Sequence, residues 1–264
     1  MASKSIIKTK NFLNTLKRVY LGGIIEECVL EINKGKCLIE AVDMTNHLIV
    51  LIEKSIMSKD VDKTNLGIGN MDILIKFLAT IEDDKLAFRK RRNKIFMQRG
   101  DRKRSLEYLL TDEELISTRL NIGDGGKKEK ENTKKKIAEM MDYSVELTQS
   151  FIKDFLSYIG FLKTKSVMIK YNSKKDQVLF TCGSINDHRF RLILDSSVET
   201  SESDDIFGIK VNGDYLSRIL SVMNFSGGED EPPTLSFAKE KPIMIEYEGA
   251  VWALLPLDLE EEEE

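Results

Sequence analysis

The chain has 264 residues, with 40 Lys and Arg against 44 Asp and Glu, a formal net charge of −4. Hydrophobic residues are 41% and charged residues 32%, which supports one large or two small buried cores and excludes a wholly disordered chain. No apolar run reaches the roughly 18 residues of a membrane span. The opening M-A-S-K-S-I-I-K-T-K lacks an apolar signal core, so an intracellular protein off the membrane is expected.

In chain order, Ile6 to Tyr20 reads as strand then helix, with Phe12, Leu13, Leu16, Val19 and Tyr20 on one helical face. Strands are predicted over Ile24–Ile32, Lys36–Val42 and His47–Ile52, with Asn33–Lys36 (N-K-G-K) as a hairpin turn. Residues 53–63 read as a polar connection. A strand near Leu66, a helix over Met71–Ile81 and strands over Lys85–Arg91, Lys94–Gln98 and Ser105–Leu110 follow. Between 114 and 139 the periodicity fails. The run G-D-G-G-K-K-E-K-E-N-T-K-K-K has the composition of an exposed linker.

Tyr143 to Leu162 then repeats the opening unit. Tyr143, Val145 and Leu147 alternate, and Phe151, Ile152, Phe155, Leu156 and Ile159 share one helical face, with Thr148 or Ser150 as the cap. Strands are predicted over Ser166–Tyr171, Val178–Cys182 and Arg189–Leu194. An acidic segment, Glu199–Asp205, leads to a fourth unit in which Tyr215, Leu216, Ile219 and Leu220 match Phe151, Ile152, Phe155 and Leu156 at a constant spacing. Strands over Thr234–Phe237, Pro242–Tyr247 and Ala250–Leu255 close the pattern. The terminal acidic run is expected to be disordered.

Four strand–helix units predict an α+β chain of two similar domains, 1–113 and 140–257, each with two helices on a largely antiparallel sheet. A linker over 114–139 and an acidic tail over 258–264 complete the division.

Residues for catalysis are sparse. His47 and His188 have no Ser or Cys at a spacing that identifies a nucleophile, so no catalytic residues are expected. Cys28, Cys37 and Cys182 are odd in number, lack a C-x-x-C and read as small buried apolar residues. No metal or cofactor is expected. Gly67-Ile68-Gly69 and Gly123–Gly126 fail the phosphate-loop pattern, and Asn224-Phe225-Ser226 is a chance sequon without a secretory route.

The polar helix faces carry more information. Lys10, Asn14, Lys17 and Arg18 fall on the first, Lys76 and Thr80 on the second, Lys153 and Ser157 on the third, and Ser217, Arg218 and Ser221 on the fourth. Cations among small polar side chains suit non-specific contact with a phosphate backbone. The candidate DNA-binding residues are therefore Lys10, Lys17, Arg18, Lys76, Lys153 and Arg218. The run Arg89–Lys94 is either a second DNA contact or an exposed hairpin tip.

Several stretches resemble the sliding clamps of the PCNA type. They are A-V-D-M-T-N-H-L-I-V-L-I (41–52), the segment 143–162 with V-M-I-K-Y and V-L-F-T-C-G, and the ending K-P-I-M-I-E-Y-E-G-A-V-W-A-L-L-P-L with its acidic tail. The four-fold unit order carries the likeness over nearly the whole chain. The resemblance implies a homotrimeric ring around duplex DNA, with Ser105–Asp112 pairing against Phe190–Val198 of a neighbour. It implies a non-catalytic processivity factor at replicating DNA whose partners are DNA polymerase and a clamp-loader ATPase. It also implies a partner-peptide pocket at Val42, His47, Leu120, Ile122, Tyr143, Pro242, Ala253 and Leu255, with Ile137 and Met140 competing for the linker's part. His47 and Ala253 stand where larger groups are usual and the linker is lysine-rich, which implies a partner-peptide preference different from that of cellular clamps; the divergent linker and weak motif retention fit a phage or other viral member. The rival readings are a clamp-fold subunit for transcription activation or damage signalling, and an interaction scaffold without DNA.

Overall fold

The computed structural model describes residues 5–57, 63–82, 85–101, 103–120, 130–162, 164–175, 177–183, 188–195, 206–223 and 231–257. Ile122, the Gly123–Gly126 cluster, Glu199–Asp205, the sequon and the acidic tail lie outside them. The chain divides into two units, Met1–Asn121 and Ile122–Glu264.

In the first unit, β1 (Ser5–Lys8) leads into α1 (Thr9–Tyr20), followed by β2 (Cys28–Asn33), β3 (Lys36–Val42), β4 (Leu48–Ser55) and β5 (Thr64–Ile68). Then come α2 (Met71–Ala79), β6 (Lys85–Arg91), β7 (Lys94–Gln98) and β8 (Ser105–Leu109). The strands pair in the orders β5-β2-β3-β4 and β1-β6-β7-β8, with every pair antiparallel. Helices α1 and α2 pack together. Phe12, Leu16 and Val19 of α1 and Met71, Leu74 and Leu78 of α2 are completely buried, as the 3.6-residue spacing requires. Asn70 caps α2 by accepting from Ile73 N–H at 3.2 Å.

One departure from the predicted elements has a local cause. Residues 24–27 are not strand, because α1 ends with Leu21 in the left-handed region (φ 46°) and Gly22-Gly23 turns the chain. The expected turn at Asn33–Lys36 is present, with Lys34 (φ 49°) and Gly35 (φ 81°) both left-handed, the backbone of a tight hairpin.

The second unit contains α3 (Lys130–Ala138), β9 (Tyr143–Glu146), α4 (Gln149–Leu162), β10 (Ser166–Asn172), β11 (Gln177–Cys182), β12 (Phe190–Asp195) and β13 (Ile206–Asn212). It closes with α5 (Gly213–Ser221), β14 (Thr234–Phe237), β15 (Ile243–Tyr247) and β16 (Ala250–Leu254). Its strands run β12-β11-β10-β13 and β16-β15-β14-β9. Thr148 is the cap of α4, accepting from Phe151 N–H at 3.2 Å. Asn212 caps α5 through Asp214 and Tyr215 N–H. Trp252, Phe155, Phe180 and Phe237 are among the largest completely buried side chains.

Segment 114–139 behaves differently from an exposed linker at both described ends. Ile116 and Thr118 are buried on the first unit, where Thr118 Oγ1 donates to Glu27 O at 2.6 Å and Arg119 bridges Ala41. Residues 130–138 form α3, with Thr133 and Ile137 buried.

The three cysteines are free and buried, as their strand positions imply. Burial pushes the Cys182 thiol up to about 11 and also raises those of Cys28 and Cys37.

The glycines at 67 and 69 have a packing role. A Cβ at Gly67 would stand 2.1 Å from Thr111 O, and one at Gly69 2.1 Å from Thr111 Oγ1. The Thr111 N–H donates to Gly67 O at 2.9 Å, so the clash at Gly67 falls on a backbone already fixed by that bond. Gly67→Ala is expected to lower stability by about 1–3 kcal/mol, read as a reduced urea midpoint with an unchanged slope.

Candidate nucleic-acid interface and partner-docking residues

On α1, Lys10, Asn14 and Lys17 lie four and three residues apart and all are exposed. The helix contains no Asp or Glu. Arg18 does not join them. It is 5% exposed, because it falls at the flank of the arc set by Thr15, Leu16 and Val19. A guanidinium at that depth serves the packed interior, and Arg18 is removed from the solvent-facing set.

The remaining cations are exposed, but two are engaged within their own helices. Lys76 donates to Asp72 one turn earlier at 2.6 Å, which raises its pKa, and Arg218 Nε lies 3.6 Å from Asp214. On α4, the exposed Lys153 is followed by the exposed Asp154. Thus α2, α4 and α5 are each neutral in sum, and of the four repeated helices only α1 carries a positive surplus. Exposed pairs of this kind are weak in water, so an incoming phosphate can replace the carboxylate.

The basic run at 89–94 is the tip of the β6–β7 hairpin, with Arg92 left-handed at φ 49°. Lys90 donates to Thr64 Oγ1 at 3.0 Å and Asn65 O at 2.7 Å, Arg91 lies over the Phe96 ring, and Lys94 pairs with Glu107. Three of its cations thus have local partners.

The pocket candidates divide by burial. In the first unit, Val42 ends β3 at 9% exposure and donates its N–H to Thr118 O at 2.8 Å. Leu120, half-buried, follows two residues later, and His47 is exposed on the adjoining loop. In the second unit, the pairing of Ile243 with Leu254 brings Pro242 and Leu255, both half-buried, to one end of the β15–β16 ladder. Ala253 pairs with Met244 and is 3% exposed. Tyr143 lies in the core of the unit. It is 5% exposed, with its ring centroid 4.4 Å from that of Tyr171 and 5.8 Å from those of Phe207 and Phe237.

Asp43 is the residue that sequence reasoning missed. Its carboxylate is buried and accepts from Leu48 N–H at 2.6 Å, Thr45 N–H at 3.0 Å and the Thr45 hydroxyl. These bonds fix the loop that carries His47, whose Nδ1 lies 3.0 Å from Thr45 Oγ1. Met44, on the same loop, is 72% exposed and accepts from Ser117 Oγ at 3.4 Å. An Asp followed by Thr at i+2 is the available signal, since that spacing favours a side chain bonding its own turn.

Two units built from the same strand–helix order, with antiparallel sheets and capped amphipathic helices, define an α+β clamp architecture. No protein-family model and no curated protein sequence matches the chain. Solved structures do. PCNA from Entamoeba histolytica superposes with a TM-score of 0.71 at 14% identity, over 98% of this chain and 100% of that one. PCNA from Thermococcus kodakaraensis gives 0.70 at 13%, over 97% and 100%. The Helicobacter pylori beta clamp bound to a DNA ligase peptide gives 0.65 at 13%, over 97% and 67%. The chain has the fold of the PCNA-type sliding clamps.

Asp43→Ala is expected to cost about 2–3 kcal/mol, because the Leu48 N–H and Thr45 N–H lose their buried acceptor. Chemical denaturation measures the loss.

Proposed function

We propose that this chain is a DNA sliding clamp. Three copies close a ring around duplex DNA, tether the replicative polymerase and raise its processivity. The chain is non-catalytic and is placed on DNA by a separate ATP-driven loader. The observation that carries this reading is the clamp fold itself, with every one of its four repeated helices exposing a cation: Lys10 and Lys17, Lys76, Lys153 and Arg218. A ring needs no sequence readout. Weak contacts with phosphates leave it free to slide, while enclosure prevents escape and keeps a tethered polymerase at high effective concentration.

Ring closure is supported by two unfinished edges. Among the described residues, β8 pairs only with β7 and β12 only with β11. Each edge exposes a large aliphatic side chain, Leu109 at 61% and Ile193 at 57%. Strand addition between copies would satisfy both edges and cover these side chains. A partner peptide would dock by way of the accessible candidates His47, Leu120, Pro242 and Leu255. The self-paired charges on α2 and α5 favour one alternative, an interaction scaffold that keeps the fold without DNA.

Analytical ultracentrifugation is expected to give three times the chain mass for the native protein, and the monomer for Leu109→Asp. The triple variant K10E/K17E/K153E should remain trimeric while its stimulation of a polymerase on a long template falls by about tenfold or more. Unchanged stimulation by that variant would leave the scaffold reading standing in place of the clamp.

A further inference from the structure

The sheet register sorts the residues of β14, β15 and β16 into two faces. Leu235, Ile245 and Trp252 form one row that lies in the core. The rows on the opposite face are Ser236, Met244 and Ala253, and Thr234, Glu246 and Val251. An outer face would ordinarily be polar and open. Here Met244 is 5%, Ala253 3% and Val251 2% exposed.

Helix α3 lies on this face, because Lys134 pairs with Glu246. Thr133 and Ile137 are buried, and Met141, a further four residues on, is half-buried, whereas Lys135, Lys136, Ala138 and Glu139 are exposed. The contact is therefore a single line of side chains spaced one turn apart. It is also thin. Ile137 is its one aliphatic anchor within the helix, and the Lys134–Glu246 pair is partly exposed, the kind that contributes little in water. The Thr133 hydroxyl is buried with no hydrogen-bond partner among the described residues, a cost relieved when the helix lifts.

We propose that α3 is a displaceable cover held over a docking strip, the outer face of β15 and β16. The strip takes a helical segment of a partner protein that presents a cation and a large aliphatic residue three positions apart, as Lys134 and Ile137 do. Glu246 receives the cation, and the Met244, Val251 and Ala253 surface receives the aliphatic group. This inference rests on the proposed function only in taking the β15–β16 ladder, which ends at Pro242 and Leu255, as a place where a partner docks; it requires neither DNA nor a ring.

Hydroxyl-radical footprinting of the full chain tests the cover, with Met244 as reporter and the completely buried Met71 and Met97 as controls. Lys134→Glu, a surface change, is expected to raise Met244 modification about two- to fivefold, with both controls unchanged. Ile137→Ser should raise it further. A fluorescent synthetic peptide of residues 130–141 tests the strip by anisotropy. It should bind the Lys134→Glu chain more tightly than the unmodified chain by a similar factor, and a peptide carrying the Ile137→Ser change should not bind. Unchanged Met244 protection in the Lys134→Glu chain, or peptide binding that is equal for both chains or absent from both, overturns the proposal. Sedimentation and polymerase stimulation of the same Lys134→Glu chain report on the clamp reading separately.

Discussion

An amphipathic helix that follows a short strand has one face to bury and too little of its own strand to bury it on. That constraint organises both units. Phe12, Leu16 and Val19 on α1 need α2 and the strands of their unit, just as Phe151, Phe155 and Ile159 on α4 need α5 and theirs. Burying a large aliphatic or aromatic side chain contributes about 1.5–3 kcal/mol, so a unit that loses its companion helix loses several such contributions. The strand–helix element is therefore used in pairs, and each pair leaves its other helical faces free to carry whatever charge function requires.

Those faces show how an acidic chain can still suit a polyanion. Net charge describes the whole molecule, whereas a phosphate responds to what lies within about a Debye length of roughly 8–10 Å. The helix-borne carboxylates Asp72 and Asp214 hold Lys76 and Arg218 one turn away. Such exposed pairs orient the cation without committing much energy to the pairing. Helix α1, with Lys10 and Lys17 and no acid, supplies the unbalanced attraction. On the proposed reading, a surface of this kind would hold a duplex loosely, which suits sliding better than anchoring.

The fold was legible wherever side-chain period and turn chemistry agreed. Lys36–Val42, Lys85–Arg91 and Lys94–Gln98 are strands with the expected ends, because turn residues or charge bound each alternating run. The strand expected from Ile24 begins only at Cys28, since apolar Ile24 and Ile25 sit in a turn that the left-handed Leu21 dictates. Arg18 was misplaced because periodicity assigns an arginine to the wet face by type, while its angle on the helix puts it at the edge of the dry one. Tyr143, which the resemblance implies as a pocket residue, is buried, as its alternation with Val145 and Leu147 already implied. Asp43 was passed over because a buried carboxylate that serves its own loop has no periodic signature.

Helix α3 was hidden for a related reason, and that reason bears on its role. K-E-N-T-K-K-K-I-A contains too few apolar residues to register as an amphipathic helix. A helix with a full apolar stripe would become a permanent part of the core, as α4 has. One with a single aliphatic anchor, an exposed ion pair and an unsatisfied hydroxyl covers the sheet only while nothing better is available. Short isolated helices are marginal in water, so a cover that lifts loses its own structure as well as its contacts. The lysines keep it soluble once it is lifted. The composition that reads as linker is therefore the composition that a releasable helix requires, and the apolar strip beneath it needs such a cover whenever no partner is bound.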